Sequence, residues 1–458
     1  MLLVYDAGDS SASVEGYGVG MYLRRFTTQK SVDLVDRVVA HRVRSAARHI
    51  AGYRDLLERS GVPVTRVRGA GNLADLPMVR KELLHDLPMA DLLHERARPA
   101  KLFRTSTSGY TGMPISIYMS PAEAVYRQWQ LLRSWKRYVR LPMGFRVVDF
   151  GGWVEEASGY RVARRGPATI LRISQRVPGH RQVELVERFA PHVLTGPPSI
   201  LDLFAQEVGS AGVALRSVRL IAIRGEILFE AVRDRIATTF GCRVADFYSC
   251  EEIGVVAYEC PTDSEVLHVN ADLCIVEIVD DEGTPMPLGR EGRVLLTNLY
   301  NFTMPFIRYD IGDRGVLATS EEGARCACGS PWPKMRLLGG REDDYGFLPD
   351  GTRASARLLG TAIYQGGRVP QPDGEIEWLF RGFRATQDAL DHLTIEVIPE
   401  TEDLHRLKTR IEHQLRGVHP LLRCTVVETD DIPREPSGKL RKFICTTRHE
   451  SSIDEVPC

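Results

Sequence analysis

Apolar residues recur at helical spacing near the start of the chain. Between residues 26 and 60 the series runs through Val35, Val39 and Val43, four residues apart. This period is typical of an amphipathic helix whose apolar face packs on a core. Gly61, followed two residues later by a proline, ends the pattern, so we predict a helix or a pair of helices here.

From about residue 102 to 337 the pattern alternates between short β-branched runs and longer amphipathic stretches. Residues 146–150 and 218–223 have the composition of strands, and residues 122–138 and 182–189 have the period of helices. Strands that alternate with helices favour a parallel sheet covered by helices. We therefore predict an α/β core.

Residues 267–317 have a different pattern, in which strands follow one another without helices. The candidates are 273–279, 292–298 and 315–318, separated by Gly, Pro and Asp turns. This section is predicted to be a small antiparallel or barrel-like unit attached to the α/β core.

A Gly-Gly pair at 339–340 divides the chain into two predicted domains. Residues 1–339 form a large N-terminal domain, of which residues 1–25, rich in Gly, Ser and Asp, are expected to be poorly ordered. Residues 340–458 form a small α+β domain with one amphipathic helix between two strands.

The charge balance excludes a strong global electrostatic field. The 458 residues include 59 Lys plus Arg and 60 Asp plus Glu, so neither a nucleic-acid partner nor a membrane surface is expected. No apolar run approaches the length of a membrane span, and the N-terminus lacks the pattern of a signal peptide. Nine cysteines are too sparse for a disulfide scaffold, which favours a reducing cytoplasm.

Residues 104–114, Arg-Thr-Ser-Thr-Ser-Gly-Tyr-Thr-Gly-Met-Pro, combine small side chains, hydroxyls and two glycines. Such a segment can wrap its backbone around a phosphate, and the hydroxyls of Thr107, Ser108 and Thr111 add donors. The Gly-Lys-Ser/Thr ending of a Walker A loop is absent. Taken alone, the segment is more often an ordinary turn.

A second candidate segment lies near the C-terminus, at residues 433–441, Pro-Arg-Glu-Pro-Ser-Gly-Lys-Leu-Arg. Its Ser-Gly turn presents Lys439, whose compact ammonium group suits negative charge that develops on a phosphate or a carboxylate. Taken alone, it is equally compatible with a basic surface turn.

The two segments lie about 320 residues apart, and four motifs occur in order between them. These are a Gly-Glu turn at 224–228, an aromatic-x-x-x-Glu motif at 246–254, a Tyr-x-x-Gly-Asp motif at 308–313 and a hinge motif at 340–344. The series resembles the adenylate-forming superfamily, which includes acyl- and aryl-CoA ligases, peptide-synthetase adenylation domains and luciferases. The resemblance extends from about residue 30 to 445.

Three further segments resemble the phenylacetate–CoA ligase-like branch of that superfamily. They are Leu-Pro-Met-Val-Arg-Lys-Glu-Leu at 76–83, Met-Pro-Phe-Ile-Arg-Tyr at 304–309 and Cys-Ala-Cys-Gly at 326–329. The implied fold is a large N-terminal α/β domain with a barrel-like section, followed by a small mobile C-terminal domain.

The resemblance implies a set of residues that bind ATP. The β- and γ-phosphates would be held by the Ser/Thr/Gly-rich loop, at Thr107, Ser108, Gly109, Thr111 and Gly112. The adenine would be bordered by Gly225 and Glu226 and would stack on Tyr248, which is followed by Ser249.

The resemblance also implies catalytic and hinge residues. Glu252 would ligate the Mg²⁺ that accompanies ATP, since hard cations prefer carboxylate oxygens. Asp313 would bind the ribose hydroxyls, with Arg341 nearby, and Lys439 would contact the substrate carboxylate and the α-phosphate. The C-terminal domain would rotate at Asp343 between the two half-reactions.

Four positions depart from the usual motifs. Tyr110 and Met113 replace polar residues of the phosphate loop, Glu251 replaces a threonine before the Mg²⁺-binding Glu, and Ile311 replaces the threonine of the Tyr-x-Thr-Gly-Asp motif. The loop substitutions are expected to weaken or rearrange the grip on pyrophosphate.

A possible zinc site is formed by Cys260, His268, Cys326 and Cys328. Thiolate and imidazole ligands in a set of four are typical of structural zinc. The alternative is a group of separate reduced thiols, because Cys-x-Cys spacing is less diagnostic than Cys-x-x-Cys. Cys250, inside the aromatic-x-x-x-Glu motif, is expected to be a packing residue.

The resemblance implies ATP-dependent activation of a carboxylic acid, expected to be aromatic, to an acyl-adenylate, followed by transfer to CoA. The alternatives are transfer to an amine or a carrier protein, or a nucleotide-binding homologue without catalytic activity. A homodimer is compatible with the resemblance. An apolar acid pocket could be walled by Phe150, Gly151, Gly152, Trp153 and Tyr248, although an aromatic residue near a Gly pair is as often part of the core.

Overall fold

The computed structural model describes residues 29–107, 115–151, 156, 158–318, 326–341, 345–434 and 439–447. Ten α-helices lie within these residues: α1 Gln29–His49, α2 Ala51–Arg59, α3 Lys81–Asp86, α4 Met89–Leu92, α5 Pro121–Trp135, α6 Gly179–Phe189, α7 Pro198–Ala211, α8 Glu230–Phe240, α9 Ala356–Gly367 and α10 Leu404–Val418. Short 3₁₀ helices occur at Val64–Arg66, Ala70–Asp75 and Pro99–Lys101.

The strands fall into two groups along the chain. Residues 103–269 contribute β1 Phe103–Ser106, β2 Ser116–Met119, β3 Arg146–Asp149, β4 Tyr160–Arg165, β5 Ala168–Ile173, β6 Val193–Gly196, β7 Leu220–Arg224, β8 Arg243–Cys250, β9 Gly254–Cys260 and β10 Asp263–Val269. Residues 274–445 contribute β11 Cys274–Val279, β12 Glu291–Asn298, β13 Tyr309–Leu317, β14 Lys334–Arg341, β15 Tyr345–Phe347, β16 Arg353–Ser355, β17 Arg368–Pro370, β18 Ile376–Trp378, β19 Phe380–Ala389, β20 His392–Pro399, β21 Arg423–Glu428 and β22 Phe443–Cys445.

Twelve strands form one large mixed sheet, in the order β11-β12-β13-β14-β10-β9-β8-β7-β6-β3-β5-β4. Its centre is parallel, from β8 through β7, β6 and β3 to β5, and its flanks are antiparallel. The parallel strands β6 and β7 are buried almost throughout, as expected when helices cover both faces of a sheet. The prediction of an α/β core is confirmed.

The predicted antiparallel section is present as β11 to β14. It is joined to the central sheet by hydrogen bonds between β14 and β10, where Leu267 pairs with Met335 and His268 with Lys334. The section therefore continues the large sheet by its backbone pairing.

After β14 the chain builds a second sheet, ordered β21-β20-β19-β22, in which α10 packs against β21 and α9. The apolar face of α10, at Leu407, Ile411 and Leu415, is fully buried. The predicted domain boundary at 339–340 falls within the last three residues of strand β14 and stays a prediction. Among the described helices, none has both the length and the apolar character of a membrane span.

Helix α5 begins with a complete capping box. The hydroxyl of Ser120 accepts a hydrogen bond from the N–H of Glu123, and the carboxylate of Glu123 accepts one from the N–H of Ser120. The same carboxylate also accepts hydrogen bonds from the backbone N–H of Phe302 and the hydroxyl of Thr303. This one side chain therefore fixes α5, which follows the phosphate-loop hairpin, against a loop some 180 residues away.

Candidate active site

The motif residues meet at one edge of the large sheet, where the parallel strands end. Strand β3 ends at Asp149, β6 at Gly196, β7 at Arg224 and β8 at Cys250. In open α/β sheets this edge is where ligands bind, because the turns leave a crevice there. The Gly-Glu motif follows β7 and the aromatic-x-x-x-Glu motif ends β8, so these two motifs lie at the same edge on neighbouring strands.

The strands β1 and β2 form an antiparallel hairpin whose connection is the Ser/Thr/Gly-rich loop. Two hydrogen bonds join the residues that flank this loop. The N–H of Thr107 donates to the carbonyl of Ile115 at 3.0 Å, and the N–H of Ile115 donates to the Thr107 hydroxyl at 2.9 Å. The remaining predicted phosphate ligands lie outside the described residues, as do the two loop departures: Ser108, Gly109, Thr111, Gly112, Tyr110 and Met113.

Glu251 links this hairpin to helix α5. Its Oε2 accepts a hydrogen bond from the hydroxyl of Thr105 and another from Nη2 of Arg127, both at 2.9 Å. Nη1 of Arg127 also donates to the carbonyl of Glu251 at 2.6 Å. Burial alone would raise the pKa of the Glu251 carboxyl, but Arg127 and Thr105 outweigh it, so the pKa is lowered and the group stays ionised.

Glu252 turns away from Glu251 and is buried beside the Tyr-x-x-Gly-Asp motif. Its Oε1 accepts a hydrogen bond from the hydroxyl of Tyr309 at 3.0 Å. The other carboxylate oxygen receives no hydrogen bond from any described residue. A carboxylate that is held at one oxygen and open at the other fits a hard cation such as Mg²⁺. The nearby Cys250 is partly buried, and the desolvation of its thiol raises the pKa well above the ordinary value, which disfavours a nucleophilic thiolate.

The predicted adenosine-binding residues lie close together. The hydroxyl of Tyr248 donates to Oδ2 of Asp313 at 2.6 Å, although the two residues are 65 positions apart. Arg341 ends β14 directly opposite Asp313 in the β13–β14 register. Ser249 follows Tyr248 on β8, and Ile311 precedes the Gly-Asp pair on β13. Tyr248, Asp313 and Arg341 therefore share one part of the crevice, as the resemblance implies.

Lys439 lies at the Gly-Glu turn that follows β7. Gly225 has a φ of +87°, a conformation that favours glycine, and a Cβ atom there would lie 3.2 Å from Cε and 3.5 Å from Nζ of Lys439. The next residue, Leu440, donates its N–H to Oε1 of Glu226 at 2.8 Å. The lysine that the sequence places in the C-terminal domain thus reaches the crevice of the N-terminal domain.

Two further contacts hold this segment in place. Nη1 of Arg434 donates to the hydroxyl of Ser199 at 2.8 Å, and that hydroxyl donates to Glu226 at 3.0 Å. The carboxylate of Glu226 therefore faces the start of α7 and the lysine segment. The predicted hinge residue Asp343 lies outside the described residues.

Sequence reasoning missed three polar residues of this crevice: Thr105, Arg127 and Asp149. Arg127 lies in the middle of α5, where an arginine has no distinctive sequence signal. Thr105 and Asp149 occur at the ends of strands, which is the one cue that could have selected them.

The four candidate zinc ligands also come together. Their ligand atoms all lie within 4.8 Å of one another, with Sγ of Cys260 3.5 Å from Sγ of Cys326 and Sγ of Cys328 3.2 Å from Nε2 of His268. In a tetrahedral site with Zn–S distances of about 2.3 Å, two sulfurs are separated by about 3.8 Å. Nδ1 of His268 lies 3.2 Å from the carbonyl of Trp332, to which its N–H can donate, leaving Nε2 directed at the thiols.

Comparisons with known proteins agree with this geometry. The sequence profile described as AMP-binding enzyme matches residues 107–303. The phenylacetate-coenzyme A ligase of Thermus thermophilus is 27% identical over 424 residues, which cover 86% of this chain and 91% of that enzyme. The enzyme of the same name from Escherichia coli is 24% identical over 445 residues, covering 90% and 95%. These similarities support the resemblance to the adenylate-forming superfamily and, within it, to the phenylacetate–CoA ligase-like branch.

Solved structures of this superfamily share the fold. A 2-hydroxyisobutyryl-CoA ligase in its postadenylation state, in complex with 2-HIB-AMP, matches with a TM-score of 0.76 at 19% identity, over 91% of this chain and 90% of that chain. The same ligase with 2-HIB-AMP and CoA in the thioesterification state gives 0.62 at 20% identity, over 92% and 90%. The predicted architecture of a large and a small domain is confirmed.

Proposed function

We propose that this chain activates a carboxylic acid with ATP to form an acyl-adenylate and then transfers the acyl group to CoA. The observation that carries the proposal is the position of Lys439, which reaches the turn at Gly225 from the other domain. The enzymes in the same branch are named for the second half of this chemistry, the formation of a CoA thioester.

In the first half-reaction, an oxygen of the substrate carboxylate attacks the α-phosphorus of ATP. The bond from that phosphorus to the bridging oxygen breaks, and pyrophosphate leaves with the electron pair. Lys439 places a positive charge where the carboxylate and the α-phosphate approach, and Tyr248 and Asp313 orient the adenosine. Positioning and charge neutralisation carry most of the catalysis in such displacements, since little proton transfer is needed.

Glu252 would hold the Mg²⁺ that accompanies ATP, through the carboxylate oxygen that the described residues leave open. The bound ion supplies neutralisation of the phosphate charge. In the second half-reaction, the thiol sulfur of CoA attacks the acyl carbon, and AMP leaves with the electrons of the C–O bond.

The cysteine and histidine cluster has the donor set of a structural zinc site. Cys260 and His268 come from adjacent strands, and Cys326 and Cys328 come from the segment before β14. An ion bound there would tie these parts of the sheet together without taking part in the reaction.

The relatives' names favour an aromatic acid and CoA as the substrates. Amines and carrier proteins remain alternative acceptors, because acceptor recognition depends on surface residues that the motifs do not include. A homodimer and a location in the cytoplasm stay predictions.

The proposal is tested by acid-dependent exchange of pyrophosphate into ATP over a panel of aromatic and aliphatic acids. Exchange is expected with at least one acid, and Lys439→Ala should reduce it by two orders of magnitude or more, since the charge that it supplies acts on the reacting groups. Lys136→Ala, which removes an exposed lysine at the end of α5, is the matched control and should retain exchange.

Adding CoA and following the products by mass spectrometry distinguishes a thioester from an amide or a loaded carrier. If folded protein that binds ATP supports no exchange with any acid, the proposal is wrong and a non-catalytic nucleotide-binding role is favoured.

A further inference from the structure

An ion pair between Asp149 and Arg224, the first residue of the Gly-Glu motif, lies at the same edge of the sheet. Asp149 ends β3 and is buried, and its Oδ1 accepts a hydrogen bond from Nη2 of Arg224 at 2.6 Å. The same oxygen accepts the N–H of Gly151 at 2.9 Å. The pair therefore joins Gly151, which follows β3, to the residue just before Gly225, whereas Gly152 and Trp153 of the expected acid pocket lie outside the described residues.

The position of Arg224 relates it to the reacting groups. It immediately precedes Gly225, against which the side chain of Lys439 lies. Its guanidinium extends towards the turn after β3, so that a Cβ atom at Gly151 would lie 2.8 Å from Nη2. The guanidinium thus occupies the space that a larger residue at 151 would fill, one residue along the chain from the glycine against which Lys439 lies.

The guanidinium of Arg224 has several N–H donors that form no hydrogen bond with a described residue. Among the described residues its guanidinium donates a single hydrogen bond, to Asp149, and its side chain is 31% exposed. A guanidinium carries five N–H donors in a planar fork, which is suited to binding a carboxylate through two parallel hydrogen bonds. The remaining donors are available to a ligand in the crevice.

The surroundings of Asp149 carry more positive than negative charge. Nε of Arg172 lies 3.5 Å from Oδ2 of Asp149, so this single carboxylate forms ion pairs with both Arg172 and Arg224. Burial, followed by the charges of Arg172 and Arg161, lowers the pKa of a third, Arg165. Arg161 and Arg172 are direct cross-strand partners, a like-charge pairing that costs stability, although Glu156 lies 3.4 Å from Arg161. An anion bound here would relieve the repulsion.

We propose that the acid activated by this enzyme carries a second anionic group, which Arg224 binds while the reacting carboxylate faces Lys439. The inference rests on the proposed function and defines its substrate class as a dicarboxylic acid or a similarly charged acid. The uncharged side chain of phenylacetate would leave the donors of Arg224 without a partner, and unpaired polar groups in a site select against such a substrate.

The test is pyrophosphate exchange with matched acid pairs that differ by one carboxylate: phenylacetate with 4-carboxyphenylacetate, and butanoate with succinate. The wild-type enzyme should prefer the diacid of at least one pair. Arg224→Gln keeps an N–H donor for Asp149 but removes the charge, and should lower the diacid-to-monoacid ratio of kcat/KM at least tenfold. Arg224→Lys keeps the charge without the fork and should retain part of the preference.

Two controls separate recognition from folding. Arg181→Gln removes an exposed arginine on α6 and should leave the ratio unchanged. The thermal midpoint of each variant shows whether loss of activity reflects loss of structure, and because the ratio compares two acids on the same protein, it is insensitive to a partly unfolded fraction.

The possible outcomes distinguish failure of the diacid inference from failure of the proposed ligase function. Exchange with monoacids alone, or a ratio that Arg224→Gln leaves unchanged, overturns the inference and leaves the proposed function intact. A variant that raises only the KM for CoA assigns Arg224 to the acceptor and also overturns it. Absence of exchange with every acid overturns both.

Discussion

At the scale of single residues, Glu251 is the departure from the superfamily motif with the clearest structural consequence. A threonine is usual at this position, but its hydroxyl is too short to bridge Thr105 and Arg127 as the carboxylate does. The side chain of Arg127 is 20% exposed and that of Glu251 is 42% exposed, so solvent partly screens their ion pair. Glu251 is therefore a positioning residue that fixes the base of the phosphate loop on α5.

We predict that Glu251→Thr raises the KM for ATP in the exchange assay about tenfold, corresponding to about 1.4 kcal/mol. The effect on kcat should be smaller, because the reacting groups are untouched. Thr105→Val, which removes only the hydrogen bond at the loop, should raise the KM in the same direction. Glu282→Thr, at an exposed turn, is the control, and an unchanged KM in Glu251→Thr would show that the loop is held by other contacts.

The residues that the sequence identified are those for which the motif itself encodes a position. Lys439, Tyr248 and Asp313 were predicted to share a site; in the structure Lys439 lies against Gly225 and Tyr248 donates a hydrogen bond to Asp313. Arg224 stood inside a recognised motif, yet its role depends on Asp149, which is 75 residues away. Contacts across such distances depend on strand order, which local patterns do not specify.

At the scale of elements, strand β13 shows why boundaries were harder to predict than types. The sequence predicted a strand only at 315–318, whereas β13 begins at Tyr309. The reason is Gly312-Asp313, which resembles a turn but forms an irregularity in the pairing with β12, where Gly312 has a φ of +82°. A bulge of this kind turns a side chain out of the regular alternation, and here it lies at the predicted ribose ligand Asp313.

The zinc cluster gives a prediction at the same scale, because its ligands join three elements. Protein purified without chelator should contain about one zinc per chain, as expected for a four-ligand structural site. Cys328→Ser should lower the zinc content and the thermal midpoint, and a strong chelator should lower the midpoint of the wild type by several degrees.

Cys242→Ser is the matched control, since this thiol lies apart from the cluster, and both its zinc content and its midpoint should remain unchanged. Full-length protein with no zinc and with a midpoint insensitive to chelator would show that the four residues are only neighbouring thiols.

At the scale of the whole molecule, the hydrogen bonds of Glu226 hold the C-terminal domain in the arrangement that delivers Lys439. The carboxylate accepts the N–H of Leu440 from one domain and the hydroxyl of Ser199 from the other. The sequence predicted two domains and a mobile lysine, but not which arrangement the chain adopts, because both arrangements use the same covalent motifs. The contacts of Glu226 with Leu440 and Ser199 depend on the three-dimensional arrangement of the two domains, which the motifs do not specify.

This docking separates the two half-reactions and can be tested on each. Glu226→Ala should lower pyrophosphate exchange about tenfold or more, since a hydrogen bond to a charged group contributes about 1.5–3 kcal/mol and about 1.4 kcal/mol corresponds to a factor of ten. Thioester formation from a supplied acyl-adenylate and CoA should stay within about threefold of the wild type, because the superfamily mechanism moves Lys439 away from the site for that step. Glu226→Gln retains one carbonyl acceptor, so its pyrophosphate exchange should lie between that of Glu226→Ala and that of the wild type. Glu375→Ala, at an exposed turn of the C-terminal domain, should match the wild type in both half-reactions. An equal loss in both half-reactions would instead mean that Glu226 acts on a substrate common to them, and the docking role would be wrong.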